Sequence, residues 1–262
     1  MKLTRRTLLI SGAAIAGASS LNLSMAQAAA HGADTYPTAS GQITVHPVDH
    51  ATVIFETTGP VIYVDPVGDA ATYADYPAPD MILITHEHGD HFNVDTLTAL
   101  AGQGVPILVN PAVYEKLPEG LKAQAAQIAN GESTELQGIG IEAIPAYNIT
   151  EDRLNFHPQG RDNGYVLTID GLRVYLSGDT EATPEMRALQ NIDVAFVCMN
   201  LPFTMGVEQA ASGVQEFKPA VVYPYHYRNK DKTFSDLEAF AKIVGDDTEV
   251  KTGNWYNGAD HV

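Results

Sequence analysis

Short apolar runs alternate with polar breaks along the chain, at lengths that predict strands interleaved with helices. The runs 43–46, 51–56 and 61–65 are rich in β-branched and aromatic residues and read as strands. Thr58-Gly59-Pro60 turns the second into the third. Met81-Ile82-Leu83-Ile84 is apolar without interruption, the pattern of a strand covered on both faces. A helix follows over 93–100, with Asn93 as its cap and Asp95 set against the helix dipole. A strand is predicted at 106–109, a short helix with Pro at its start at 111–117, and two or three strands over 126–144 about the turn Gly138-Ile139-Gly140.

Farther on, 164–169 and 172–176 form a hairpin about Asp170-Gly171. Thr183-Pro184-Glu185 starts a helix, 192–199 is a buried strand, and 206–217 carries Val207, Ala210, Ala211, Val214 and Phe217 at helical spacing. A strand at 220–223 and a helix at 233–244 complete the pattern, Ser235 and Glu238 being spaced as a capping box. No linker divides the chain, so residues 31–262 read as one α/β domain, entered through a polar connector at 31–40.

Residues 1–30 differ in kind. Lys2, Arg5 and Arg6 precede an apolar run broken by Gly and Ser, and Ala26-Gln27-Ala28 offers a cleavage site. The wording Thr4-Arg5-Arg6-Thr7-Leu8-Leu9 is that of a twin-arginine export signal. The expected mature protein is periplasmic or secreted, with no stable membrane insertion once the signal is removed. Without the leader, 12 Lys and Arg stand against 32 Asp and Glu, a charge of about −20. That charge excludes nucleic acid as a partner, there being no basic stripe to meet phosphates, and favours a small molecule. The single cysteine, Cys198, lies in an apolar run and reads as a buried hydrophobe.

The chemistry concentrates in Thr85-His86-Glu87-His88-Gly89-Asp90-His91, directly after the apolar run 81–84. His86 and His88 are two apart, so in extended backbone they leave the same side and can share one cation. A turn at Gly89 aims Asp90 and His91 at a second site. Imidazole nitrogen and carboxylate oxygen are zinc ligands.

This stretch resembles the signature of the metallo-β-lactamase fold superfamily, and its wording through Phe92-Asn93 is most similar to the ascorbate-6-phosphate lactonase-like branch. The resemblance spans residues 42–252. It implies a four-layer αββα sandwich with one or two metals at one edge, zinc first and manganese as the alternative. It further implies that Asp65, ending a strand, supports the metal loop, and that Asp179 of Ser177-Gly178-Asp179-Thr180 bridges two ions. His226, at the end of the strand 220–223, becomes the last ligand of the second site. The family's remaining histidine would fall near Asn148, where this chain has an amide. His157 is therefore assigned to the first metal, with Asn148 as a substrate contact in the alternative. The implied set is His86, His88 and His157 on one ion, and Asp90, His91 and His226 on the other. Tyr225, Tyr227 and Arg228 are candidate substrate contacts, and His50 reads as a hydrogen-bonded structural histidine.

The activity implied is hydrolysis of a small ester, lactone, amide or phosphodiester by a metal-bridging hydroxide. Asp90 orients that group and protonates the leaving atom. The alternative is an exported metal-binding or ligand-sensing protein without turnover. Oligomeric state is left open.

Overall fold

The computed structural model describes residues 33–102 and 104–256. The leader with its cleavage site, and the end of the tail with His261, lie outside the described residues. Among the described residues fourteen strands form two seven-stranded sheets. The first runs in chain order through β1 (Asp34–Pro37), β2 (Gln42–Asp49), β3 (Thr52–Glu56), β4 (Ile62–Val64), β5 (Met81–Ile84), β6 (Ile107–Val109) and β7 (Ala125–Gln127). The second holds β8 (Ser133–Leu136), β9 (Ile139–Ala146), β10 (Asp162–Ile169), β11 (Leu172–Leu176), β12 (Val194–Cys198), β13 (Val221–Tyr225) and β14 (Glu249–Val250), also in sequential order. Each sheet is antiparallel through its first four strands and parallel thereafter. The two halves thus share one architecture, although no sequence repeat marks it.

The alternation within β5 explains the layers. Met81 and Leu83 face the second sheet, in one cluster with Phe55, Val166 and Leu176. Ile82 and Ile84 face the opposite way, onto Leu97, Val113 and Leu121. Those three belong to α1 (Val94–Ala101), α2 (Pro111–Lys116) and α3 (Glu119–Lys122). Burying each such side chain contributes about 1.5–3 kcal/mol, so the uninterrupted apolar run is what a strand between two layers requires. On the other side α4 (Pro184–Arg187), α5 (Val207–Phe217) and α6 (Leu237–Val244) bring Met186, Val214 and Phe240 to the second sheet. The result is the αββα sandwich. No helix among the described residues is long and apolar enough to cross a membrane.

Several elements differ from the sequence reading. The connector at 31–40 contains β1, an edge strand whose Tyr36 hydroxyl meets that of Tyr223 at 2.5 Å. Its alternation of half-buried and exposed positions leaves no hydrophobic run to detect. The hairpin between β8 and β9 turns at Gln137-Gly138, both at positive φ, and not at 138–140. The last helix begins at Leu237, because the Asp236 carboxylate accepts the Ala239 N–H at 2.9 Å. Ser235 is no cap: its hydroxyl donates to the Met199 carbonyl. Cys198 is fully buried, as expected, and burial together with Asp179 pushes its thiol up to about 12.

Candidate metal centre

The polar cluster sits where strand ends of the two sheets meet. Asp65, just after β4, is fully buried at φ 47°. Its carboxylate accepts the Thr85 N–H at 2.7 Å, the Thr85 hydroxyl at 2.6 Å and His91 Nδ1 at 2.7 Å. The Thr85 carbonyl in turn accepts Asn110 Nδ2 at 2.8 Å and the Asn163 N–H at 3.1 Å, fastening the loop after β5 to both sheets. Gly178 makes the junction possible: at φ 59°, a Cβ there would lie 2.8 Å from the Asn163 carbonyl and 3.2 Å from Thr85 Cβ. Only glycine tolerates both the conformation and the approach.

From these anchors the side chains converge in two groups. His86 Nε2 lies 3.1 Å from His88 Nδ1, which lies 3.2 Å from His157 Nε2. Asp179 Oδ2 closes the group at 3.4 Å from His157 and 3.9 Å from His86. Asp179 Oδ1 points the other way, 3.3 Å from His91 Nε2 and 3.5 Å from His226 Nε2. Asp90 Oδ2 completes the second group at 3.3 Å from His226. A tetrahedral ion with metal–nitrogen bonds of about 2.0–2.1 Å sets its ligand atoms about 3.3–3.4 Å apart, a spacing that the first group and the trio His91, His226 and Asp179 approach, while Asp90 forms a further trio with His226 and His50. His91 Nε2, Asp179 Oδ1 and both ring nitrogens of His226 are buried without a hydrogen-bond partner. Orphaned buried atoms are costly unless a cation meets them.

The electrostatics prepare the same atoms. Burial, helped by the charge of His91, holds His86 well below its ordinary range. Burial and His157 bring His88 down to about 4. Burial also opposes charge on His91, but Asp179 and Asp65 outweigh it and hold that ring well above its ordinary value. For Asp179, burial would raise the carboxyl, yet His226 and His91 keep it well below the usual range. Neutral His86 and His88 beside ionised Asp179 are in the protonation state a cation needs, whereas His91 would have to give up its Nε2 proton to one.

All seven residues expected as ligands are therefore brought together, His157 included. The Asn148 N–H donates to the His157 carbonyl at 2.9 Å, so residues 149–156 bulge outward and return His157 beside the expected position. Asn148 itself is no free donor. Its Nδ2 is spent on the carbonyls of Arg153 at 2.8 Å and Phe203 at 2.7 Å.

Two further expectations are corrected. Tyr225 and Tyr227 are fully buried against Trp255 and Tyr256, because with Tyr223 they share the inward phase of β13 and its extension. Arg228 is exposed and stacks on Tyr256, with its guanidinium carbon 5.1 Å from the ring. His50 is hydrogen-bonded, as expected, but at the centre itself: Nε2 lies 3.4 Å from Asp90 Oδ2 and Nδ1 2.8 Å from the Tyr256 hydroxyl. That hydroxyl accepts the Arg228 N–H at 3.3 Å, so its proton is directed to Nδ1, leaving Nε2–H for Asp90.

The sequence reading also passed over Asn200, Phe203 and Glu181. Asn200 and Phe203 line the cavity in front of the centre. Glu181 accepts from the N–H groups of Ile149 and Thr150 at 2.8 and 2.7 Å, with Arg153 Nη2 3.1 Å away, and so holds the bulge. Its place two residues after Asp179 was the one available signal.

Residues 44–226 match the family model described as the Beta-lactamase superfamily domain. A UPF0173 metal-dependent hydrolase of Pyrococcus abyssi is 32% identical over 181 residues, 67% of this chain and 79% of that protein. Among solved structures, a candidate metal-dependent hydrolase of Parabacteroides distasonis is 37% identical, covers 84% of this chain and 97% of its own, and superposes with a TM-score of 0.76. A metallo hydrolase of Ignicoccus hospitalis shares the fold at 23% identity and a TM-score of 0.67, over 80% of this chain and 94% of its own.

Proposed function

The chain belongs to the beta-lactamase superfamily of metal-dependent hydrolases, and from that premise we propose that it hydrolyses a small ester, lactone, amide or phosphodiester on two divalent ions, zinc first and manganese as the alternative. The observation that carries this reading is the split carboxylate of Asp179, one oxygen turned to each group of imidazoles. His86, His88, His157 and Asp179 Oδ2 would hold one ion, and His91, His226 and Asp179 Oδ1 the other, with Asp90 joined to that second group through His226, where it also meets His50. Bound divalent ions lower the pKa of water from about 15.7 to near 7 and so supply a nucleophile at neutral pH.

The protein's part is orientation and proton handling. Asp65 accepts a hydrogen bond from His91 Nδ1–H and thereby turns Nε2 toward the second group, where it would meet an ion. Burial would raise the Asp90 carboxyl, but the His226 and His50 rings, 3.3 and 3.4 Å from its Oδ2, hold it below the ordinary carboxylate range. Half-exposed at the cavity, Asp90 is placed to receive the proton of the attacking water and return it to the leaving group.

Metal content per mature chain, purified without chelator, is the first test, followed by turnover of a lactone, ester, phosphodiester and β-lactam panel. Two metals, with activity abolished in His88→Ala, are expected. Less than one metal per chain, with no turnover after zinc or manganese is restored, would favour the metal-binding protein without turnover. The export reading rests on residues 2–28. Arg5→Lys with Arg6→Lys should retain the chain in the cytoplasm, and N-terminal sequencing of the exported form should start after Ala28.

A further inference from the structure

The cavity before the metal centre encloses about 350 Å³. Beyond His88, Asp90, His157 and Asp179, its walls are Phe156, Phe203 and Asn200. The two phenylalanine rings stand edge to face with centroids 5.2 Å apart. Apolar surface continues outward along the same loops, where Ile149, Leu154 and Leu201 are 44–46% exposed. A larger groove of about 590 Å³ beside Leu201 and Asn229 includes none of the site residues.

Asn200 is only 2% exposed. Its Oδ1 accepts the Thr204 hydroxyl at 2.6 Å, and its backbone N–H donates to the Thr204 hydroxyl oxygen at 3.1 Å. The amide is thereby oriented, yet Nδ2 has no acceptor among the described residues although the side chain lines the cavity. An oriented amide donor that has no protein acceptor and opens onto the cavity is available to a ligand there. The neighbouring cations, by contrast, are committed. Arg153 binds the Thr204 carbonyl at 2.6 Å and faces Glu181. Arg161 holds both oxygens of Asp162, at 2.7 and 2.8 Å, and the Phe156 carbonyl at 2.9 Å. Among the described residues no lysine or arginine lines the cavity; Arg161 reaches only the far side of His88, with Nη2 3.4 Å from its Nε2, so the walls beyond the metal centre favour a neutral substrate.

We propose that the cavity takes a neutral carbonyl compound with an apolar substituent, the substituent lying on Phe156 and Phe203 while Asn200 Nδ2 donates to an oxygen of the ligand. This narrows the hydrolase reading and rests on it for the reaction. In that reaction the water oxygen bonds to the carbonyl carbon, the bond from that carbon to the alcohol oxygen breaks, and the alcohol oxygen takes the proton that Asp90 received from the water.

Binding and turnover separate the two ideas. Acetamide, butyramide, hexanamide and dimethyl phosphate are titrated calorimetrically into the zinc-loaded mature protein, beside hydrolysis of p-nitrophenyl acetate, butyrate and hexanoate and of bis(p-nitrophenyl) phosphate. Affinity is expected to rise about two- to fourfold per methylene along the amides. Phe203→Ala should flatten that rise, and Asn200→Ala should weaken every amide about tenfold, with metal content unchanged in both. Dimethyl phosphate binding more tightly than hexanamide, a rise that survives Phe203→Ala, or full amide affinity in Asn200→Ala would overturn the proposal. Amide selectivity without hydrolysis of any ester would sink the hydrolase reading alone. Ester turnover indifferent to chain length and to both variants would sink this inference alone.

Discussion

The backbone of Asn148 holds the backbone of His157: N–H to carbonyl, 2.9 Å. The side chain next to this join is an imidazole supplied from nine residues downstream, while the amide at 148 ties two loops together. His157→Ala should therefore lower zinc affinity at the first group at least 10- to 100-fold. Asn148→His should fail to restore it, since position 148 points at the carbonyls of Arg153 and Phe203. Competition against a chelator of known affinity measures this, and recovery in the double variant would refute the assignment.

Asp65 touches no expected ligand atom of the first group, yet it fixes His91 and the start of the metal loop. Asp65→Asn exchanges an acceptor-only carboxylate for an amide that cannot accept three donors. The expected loss is about 10- to 100-fold in affinity for the second ion. Zinc titration of the purified variant would show it, and an unchanged affinity would remove Asp65 from the site.

Glu181 is fully buried and braces the bulge that presents His157. Glu181→Gln leaves the Arg153 guanidinium, largely buried, without its countercharge. Breaking a buried pair in this way costs about 3–5 kcal/mol, which for a domain of this size lowers Tm by roughly 6 °C or more. Thermal melts of the metal-free protein read the effect directly; a shift within 1 °C would be inconsistent with the brace.

Acid should weaken the fold by a definite route. Burial lowers His50 and His88 from 6.5 to about 4, so both are neutral in the native state while their unfolded counterparts take up protons. Stability from these groups is complete above 6.5 and is lost as the pH falls through the window down to about 4. His91 runs the opposite way, its raised value favouring the fold below 6.5, but it stands against three lowered rings, His86 included. The metal-free protein should thus lose stability between pH 6.5 and 4, and the zinc-loaded protein should lose it more steeply because the same protons compete with the ion. Urea midpoints across that range, measured with and without zinc, would expose the opposite slope if the assignment of neutral rings is wrong.

The parts of the site legible in the sequence were those carried by local pattern. The run Met81–Ile84 and the cluster after it announce a strand delivering ligands, and Asp170-Gly171 announces the hairpin that leads to Asp179. His50 was read as structural because a lone histidine shows no spacing partner; Asp90 and Tyr256 reach it only through the fold. Asn200 was missed for a related reason, its meaning lying in an unpaired amide that no sequence displays. The tyrosines at 225 and 227 were over-read: their spacing of two from Tyr223 already places all three on one face of a buried strand.

The candidate ligands are divided between the halves of the chain. His86, His88, Asp90 and His91 follow strands of the first sheet, while His157, Asp179 and His226 come from loops of the second. Neither half owns a complete coordination sphere, so a nascent chain cannot capture its ions in final form until the sheets have closed on each other. Loading then becomes a report on completed folding, and withdrawing the ions should loosen the seam between the sheets before it disturbs either sheet alone.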